Sequence, residues 1–331
     1  MSERESHEEL PKKIEVEKIP HYIIMITRHA ERLPSGELSP EGIAHAQARG
    51  ENLKGVEVLK SYASDHPSGR AYETAENIGG IADIISPQTQ ECYRTRRVKD
   101  VQYNVIDPAI LKEVKLLIEE ATLKEIYSEH PKLAQLIESA LSEDASGSLM
   151  KTNSQGEQMV DIEKLPKDIQ RQVAPFRQKN QKVGFEKMLA SPEAVKNMAI
   201  GLSHQLVGKG KILARYSQAR EAKNKSPQKD VVININTHGL FTESLLKNAG
   251  IFVKPTGEEI HGLDNIDTDE LGGYIQPGES IYLDIGASPN NIPERIPVMF
   301  GNERKVRGEV YLDRSKLEQL DQEYGANKKV E

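Results

Sequence analysis

The chain has 331 residues, a formal net charge of −7 and a pI near 5.8, and 37% of its residues are hydrophobic and 29% charged. This length allows one large α/β domain with an insertion, or two ordinary domains, and it can bury a sizeable core. The acidic balance argues against bulk attraction to nucleic acid or to an anionic membrane. Cys92 is the only cysteine, which excludes an intrachain disulfide and a cysteine-based zinc site and fits a reducing compartment.

The amino-terminal segment predicts neither secretion nor membrane anchoring. Residues 1–18 are strongly charged and lack the apolar core of a signal peptide, so we expect a disordered arm there. No later segment reaches the apolar length that crossing a bilayer requires. The sequence therefore predicts a cytoplasmic protein without a membrane partner.

The first part of the chain alternates between strand and helix patterns. Residues 22–27 form a short apolar run that suits a strand buried on both faces of a parallel sheet. The Ser-Pro-Glu sequence at 39–41 supplies an N-cap and a first-turn proline, which predicts a helix over 40–54. A second strand over 58–64 and a helix over 70–84 follow, and this alternation is typical of an α/β fold.

The middle and the end of the chain have a different character. Long charged segments with helical spacing run through 108–225, interrupted by a polar, glycine-bearing stretch at 142–156 that predicts a mobile loop. A β-branched run at 231–236 resumes the core, and the runs at 280–285 and 306–312 are candidate edge or returning strands. The predicted organisation is a disordered arm (1–18), a core (19–107 and 226–324), a mostly helical insertion (108–225) and a tail (325–331).

Two histidines lie just beyond predicted strands. His29 follows the first strand and His238 follows the strand at 231–236, and a helix comes after each. Since ligands of open α/β sheets bind at the carboxyl ends of the strands, we expect both histidines at one crevice. Arg28 adjoins His29, and Arg70 stands at the predicted start of the second helix. Guanidinium groups and helix N-termini bind phosphate oxygens, so the pattern predicts a phosphate pocket.

Four segments, taken in order, resemble the signature of the histidine phosphatase superfamily, the phosphoglycerate mutase-like and histidine acid phosphatase group. They are Thr27-Arg28-His29-Ala30-Glu31-Arg32-Leu33-Pro34, Leu38-Ser39-Pro40-Glu41-Gly42 with Gln47 and Gly50, Tyr62-Ala63-Ser64 with Arg70-Ala71 and Thr74-Ala75, and Thr237-His238-Gly239. Ala30 replaces the glycine that is usual after the first histidine. The loop at 65–69 is two residues longer than in the family pattern.

The resemblance implies a three-layer α/β/α fold with a mostly parallel central sheet, and a helical insertion that covers the active-site mouth. It implies that His29 attacks phosphorus and forms a phosphohistidine, which water then hydrolyses. Arg28, Arg70 and His238 would bind the phosphoryl oxygens. Arg32 would be a further phosphate ligand, as in the acid phosphatase branch, whose motif has an arginine at the same spacing. We expect no metal and no other cofactor, because the arginines supply the positive charge.

The proton donor for the leaving group is not fixed by the resemblance. In the acid phosphatase branch an aspartate follows the second histidine, but Gly239 stands at that position here. In the mutase-like branch the acid comes from the region after the second core helix, which favours Asp107. Glu157 lies in a segment that resembles one close to the pocket in some members. Asp107 and Glu157 are therefore equal candidates for the general acid.

The leading prediction is a phosphomonoester hydrolase that acts through a phosphohistidine on an unidentified substrate. A phosphomutase of the same superfamily would need the same residues, and a pseudophosphatase would use the pocket to bind phosphorylated partners without turnover. The expected partner is a small phosphorylated substrate or a phosphoprotein, with no nucleic acid. The sequence leaves the oligomeric state open.

Overall fold

The computed structural model describes residues 19–32, 37–53, 55–64, 69–83, 96–98, 106–153, 156–225, 227–262, 271–301 and 305–327. The predicted disordered arm over 1–18, the lengthened loop at 65–68 and the end of the tail at 328–331 lie outside these residues.

Strands and helices begin close to where the sequence patterns predict them in the core. The strands are β1 (Tyr22–Arg28), β2 (Glu57–Ser64), β3 (Arg96–Val98), β4 (Met150–Thr152), β5 (Gln158–Val160), β6 (Val231–Thr237), β7 (Gly250–Val253), β8 (Glu259–His261), β9 (Ser280–Gly286), β10 (Arg295–Phe300) and β11 (Glu309–Asp313). The helices are α1 (Pro40–Asn52), α2 (Arg70–Asp83), α3 (Pro108–Glu129), α4 (Pro131–Glu143), α5 (Lys167–Lys179), α6 (Gln181–Leu189), α7 (Pro192–Glu221), α8 (Phe241–Ala249) and α9 (Arg314–Asn327). The tail predicted to begin at residue 325 is thus helical up to Asn327.

The central sheet has nine strands in the order β3-β2-β6-β1-β9-β10-β11-β7-β8. The pairs among β3, β2, β6 and β1 are parallel, whereas every pair from β1 to β8 is antiparallel. The α/β class is confirmed, but the sheet is mixed, and the predicted parallel arrangement holds for one half. In the other half, β7–β8, β9–β10 and β10–β11 have connections shorter than the dozen or so residues of a parallel crossover.

Helices cover both faces of the sheet. On β1, Tyr22, Ile24 and Ile26 pack in the cluster that contains residues of α7, α8 and α9. The alternate residues Ile23 and Met25 pack in the cluster that contains residues of α1 and α2. Because successive side chains of a strand point to opposite faces, these two clusters lie on opposite sides of the sheet. The three-layer arrangement is therefore present, and β1 is buried on both faces as predicted.

The segment 108–225, predicted to be a helical insertion, contributes to two separate cores. Residues of α3, α4, α5, β4 and β5 form a hydrophobic cluster of their own, which includes Ile126, Ile137 and Val173. Helix α7 instead packs on the sheet with α8 and α9, and its Met198 is fully buried there. Thus α7 lies within the predicted insertion but is part of the helical layer on the sheet, while the division into domains stays a prediction.

The polar stretch at 142–156, predicted to be a mobile loop, contains strand β4 and an ordered turn before it. The Asp144 carboxylate accepts hydrogen bonds from the Ser146 hydroxyl at 2.6 Å, the Ser148 hydroxyl at 3.1 Å and the Leu149 amide at 2.6 Å. Strand β4 then pairs with β5 in an antiparallel hairpin. Small polar residues here act as turn formers, which composition alone does not distinguish from disorder.

Helix α1 is joined closely to the loop that follows β1. Ser39 caps the helix by accepting from the Gly42 amide at 2.9 Å, as the sequence predicts, and its own amide donates to the Glu31 carbonyl at 3.0 Å. A Cβ atom on Gly42 would lie 2.2 Å from the same carbonyl oxygen. The glycine therefore permits the close approach that fixes the position of the loop after His29.

Among the described residues, no helix combines the length and the apolar character that crossing a bilayer requires.

Candidate active site

The site lies where the parallel strands end. In the register of the sheet, Arg28 at the end of β1 pairs with Thr237 at the end of β6, and Ala63 of β2 pairs with Asn236. His29 and His238 are the next residues after β1 and β6, and their ring centroids are 5.2 Å apart. The predicted meeting of the two histidines at one crevice is thus what the structure has.

His29 is held in one orientation by a local hydrogen bond. Its Nδ1 lies 2.9 Å from the carbonyl oxygen of Ala30, and its amide donates to the Thr237 carbonyl at 2.8 Å. A carbonyl oxygen only accepts hydrogen bonds, so the proton of the neutral ring must be on Nδ1. The lone pair is then on Nε2, the atom that faces Arg70.

The environment of His29 favours the neutral ring. The side chain is 7% exposed. Burial chiefly, and then the nearby His238, Arg70 and Arg28, hold the pKa of the His29 imidazole well below its ordinary value of 6.5. The hydrogen bond to Ala30 opposes this shift but is the smallest influence. A neutral ring with Nδ1 protonated is a nitrogen nucleophile that stays available in mildly acidic solution.

Ala30 occupies the position of the family glycine without disturbing the loop. Among the described residues, the non-glycine residues with positive φ are Asn224 and Leu240, so Ala30 needs no glycine backbone. Its methyl group is fully buried in the cluster under α1 and α2. Its amide donates to the Thr74 hydroxyl at 3.0 Å, and that hydroxyl donates to the Arg70 carbonyl at 2.8 Å. Thr74 therefore ties the loop that contains His29 and Ala30 to the first turn of α2.

Arg70 is the first residue of α2, as the sequence predicts. It is half-buried, and its Nη1 lies 3.4 Å from Nε2 of His29. A guanidinium at the N-terminus of a helix adds to the positive dipole of that end, and both favour an anion. An oxyanion placed beside His29 would thus meet a fixed cationic group.

Arg28 is 5% exposed and is enclosed on several sides. Its Nη1 donates to the carbonyl of Ile275, and its guanidinium carbon lies 5.1 Å from the ring centroid of Phe185 on α6. A Cβ atom on Gly239 would lie 2.9 Å from Arg28 Nε. Glycine at 239 is therefore the residue that leaves room for the guanidinium, at the position where the acid phosphatase branch has its aspartate.

His238 is 1% exposed and has its own hydrogen-bond partner at the end of β2. Its Nε2 lies 3.1 Å from the hydroxyl of Ser64. The chain turns sharply after it, since Leu240 has φ 73° and α8 begins at Phe241. Left-handed backbone in a buried leucine is strained and is often found at functional sites.

The other predicted site residues, Arg32, Asp107 and Glu157, are exposed. Arg32 is exposed and forms an isolated bridge with Leu38. Asp107 is exposed and caps α3, because its carboxylate accepts from the Ala109 amide at 2.7 Å. Glu157 is exposed in the turn between β4 and β5, where its carboxylate is 3.4 Å from the Asn153 side-chain amide. Their roles stay predictions.

Several residues that contact the site have no role in the sequence prediction. Ser64 and Thr74 stand inside the motifs, and that placement is the sequence signal for their contacts with His238 and with the Ala30 amide. Phe185 and Ile275 lie in segments whose position depends on tertiary packing, and no local pattern identifies them. Contacts from the middle of the chain also include Gln178 of α5, whose side chain donates to Glu31 at 2.5 Å.

One group of side chains away from the pocket could resemble a metal site. Glu125, Glu129 and His130 place one potential ligand atom each within 4.8 Å of one another. The Glu125 carboxylate, however, already accepts from the Lys179 ammonium at 2.5 Å and from Asn180 at 2.7 Å. The lysine supplies the positive charge there, and we assign no metal to this group.

No protein-family model matches the chain, and no curated protein matches it. Similar solved structures include a Hafnia alvei phytase in complex with tartrate, at 12% identity, with 91% of this chain and 96% of that chain covered and a TM-score of 0.40. A Klebsiella phytase has 11% identity, 92% and 94% coverage and a TM-score of 0.41. A mycobacterial glucosyl-3-phosphoglycerate phosphatase has 12% identity, 85% and 97% coverage and a TM-score of 0.34.

The lowered pKa of His29 predicts an acid-sensitive contribution to stability. Below about pH 6.5 the unfolded chain binds a proton at this residue that the folded chain does not, so stability falls as pH falls. One such proton changes the free energy of unfolding by at most ~1.4 kcal/mol per pH unit. In His29→Asn, the Asn side-chain amide can replace Nδ1 as donor to Ala30 but does not titrate. Urea unfolding at about pH 7.5 and pH 5.5 should show a smaller loss of stability for His29→Asn than for the wild type. Equal losses in the two proteins would contradict the assignment.

Proposed function

We propose that the chain is a phosphomonoester hydrolase in which His29 is the covalent nucleophile. The observation that carries this proposal is the hydrogen bond from Nδ1 of His29 to the Ala30 carbonyl, which leaves the lone pair of a buried, neutral ring on Nε2. That lone pair faces Arg70 in a pocket that also contains Arg28 and His238. A nucleophile surrounded by fixed cations suits attack on an anionic phosphoryl group.

The reaction proceeds by two in-line displacements. In the first, Nε2 of His29 forms a bond to phosphorus while the bond to the ester oxygen breaks, and the leaving oxygen takes a proton from a general acid. In the second, water attacks phosphorus, the nitrogen–phosphorus bond breaks and its electron pair returns to Nε2. The conjugate base of the general acid takes the proton of that water, and orthophosphate is released.

The basic groups would act on the transferred phosphoryl oxygens. Negative charge spreads over the three equatorial oxygens in a loose transition state, and preorganised donors stabilise it without reorganisation. Arg70 and Arg28 supply guanidinium groups, and His238 supplies a ring nitrogen. Arg32 would add a further cation at the open side of the pocket.

The substrate is held against residues from two parts of the chain. Phe185 of α6 lies beside Arg28, and Gln178 of α5 donates to Glu31. The segment predicted to be a cap therefore contacts residues on both sides of His29. The part of the substrate that leaves would meet this surface. We expect it to select the ester, while the pocket itself recognises the phosphoryl group.

Replacement of the nucleophile tests the proposal. His29→Asn keeps a donor to the Ala30 carbonyl but has no Nε2, so it should lower the release of orthophosphate from p-nitrophenyl phosphate by at least about 10³-fold. His204→Asn is a matched control, because His204 is half-buried on α7 and its Nδ1 bonds Asp321 at 2.7 Å instead. The control should keep wild-type activity. Wild-type turnover by His29→Asn would refute the proposal, and an isomerised ester without free phosphate would indicate a mutase.

The leaving group identifies the proton donor. Asp107→Asn can still cap α3, and Glu157→Gln can still accept from Asn153, so each variant removes only the acid. If one of them is the donor, its removal should slow hydrolysis of an alkyl phosphate by ~10²–10⁴-fold and that of p-nitrophenyl phosphate much less. The reason is that p-nitrophenolate leaves without protonation. Equal behaviour of both variants and the wild type on the two esters would exclude Asp107 and Glu157 together.

A further inference from the structure

A segment far along the chain encloses the backbone of Arg28. We call residues 271–279 the clamp segment. The amide of Arg28 donates to the Glu279 carbonyl at 3.0 Å, and the Gly278 amide lies 3.1 Å from the Arg28 carbonyl oxygen. The side chain is bound as well, since Nη1 of Arg28 donates to the Ile275 carbonyl. Both the main chain and the guanidinium of Arg28 thus depend on where the clamp segment lies.

Ile275 is itself fixed by an acidic residue of α8. Its amide donates to Oε1 of Glu243 at 2.9 Å, and the Ile275 side chain is 3% exposed. Glu243 is 5% exposed and stands in the first turn of α8, where the helix dipole favours a negative charge. One residue, Ile275, therefore accepts from Arg28 through its carbonyl and donates to Glu243 through its amide.

Burying a carboxyl group costs free energy that an apolar side chain would avoid. The position of Glu243 on α8 matters for the site, because α8 begins at Phe241, only three residues after His238. A carboxyl oxygen on this helix can set the distance between the His238 turn and the clamp segment, and Arg28 lies between them.

We propose that Glu243 is a positioning residue, which fixes the guanidinium of Arg28 through Ile275 so that it faces the phosphoryl group. The inference rests on the proposed function, since Arg28 is taken there to bind phosphoryl oxygens. It assigns the effect of Glu243 to the hydrogen bond that Oε1 accepts, and not to its charge. Small displacements of a binding group cost large factors in affinity and rate, so loss of this hydrogen bond should be measurable at the pocket.

Two conservative substitutions separate the hydrogen bond from the charge. Glu243→Gln keeps Oε1 as an acceptor and loses the charge, whereas Glu243→Asp keeps the charge and withdraws the oxygen by one methylene. Orthophosphate binding, measured by calorimetry on the full chain, should stay near wild type in Glu243→Gln and weaken roughly tenfold or more in Glu243→Asp. kcat/KM for p-nitrophenyl phosphate should follow the same order. Ser244→Ala is the control, because Ser244 is buried on α8 and contacts Met198, and it should leave both values unchanged.

A double-mutant cycle tests whether Glu243 acts through Arg28. In an Arg28→Ala background, Glu243→Asp should cause no further loss of orthophosphate affinity. Equal further loss in that background would overturn the proposal, as would full affinity in Glu243→Asp or a loss confined to Glu243→Gln. Binding is measured without turnover, so a wild type that binds orthophosphate but hydrolyses no ester refutes only the proposed hydrolase. A wild type that binds no orthophosphate overturns both.

Discussion

The hydrogen bond between Nδ1 of His29 and the carbonyl of Ala30 is the contact on which the proposed chemistry depends. It determines which ring nitrogen carries the proton, and burial together with the surrounding cations keeps the ring neutral. An imidazole without these constraints would exchange between tautomers and would be protonated in mildly acidic solution. The contact joins two adjacent residues, but its geometry is held by distant parts of the chain.

Those distant parts meet because parallel strands end at one edge of the sheet. β1 and β6 bring His29 and His238 side by side, and β2 brings Ser64 to the second ring. Thr74 on α2 holds the Ala30 amide, and the clamp segment holds the backbone of Arg28. The first strand of the antiparallel half of the sheet, β9, continues directly from the clamp segment.

Much of the pocket could be predicted from sequence because its signals are local. A β-branched run followed by histidine, and a proline or arginine at a helix start, each reflect backbone chemistry within a few residues. The antiparallel half of the sheet was harder to predict, since β7 and β8 have only four and three residues and the pairing of these strands depends on long-range register. The contacts of Phe185 and Glu243 could not be predicted at all, because they arise where α6 and α8 pack against segments distant in sequence. The proton donor also stays a prediction, because its position depends on the packing of segments distant in sequence.

The proposed reaction requires that Nε2 of His29 become covalently bonded to phosphorus. The most direct measurement is rapid quenching of the wild-type protein with a ³²P-labelled phosphate monoester in base, followed by peptide mapping of the label. We expect acid-labile, base-stable label on the peptide that contains His29, with phosphorus on Nε2, and no label in His29→Asn. Label on another residue, or turnover of the ester with no phosphoenzyme at any quench time and an unchanged rate in His29→Asn, would contradict it.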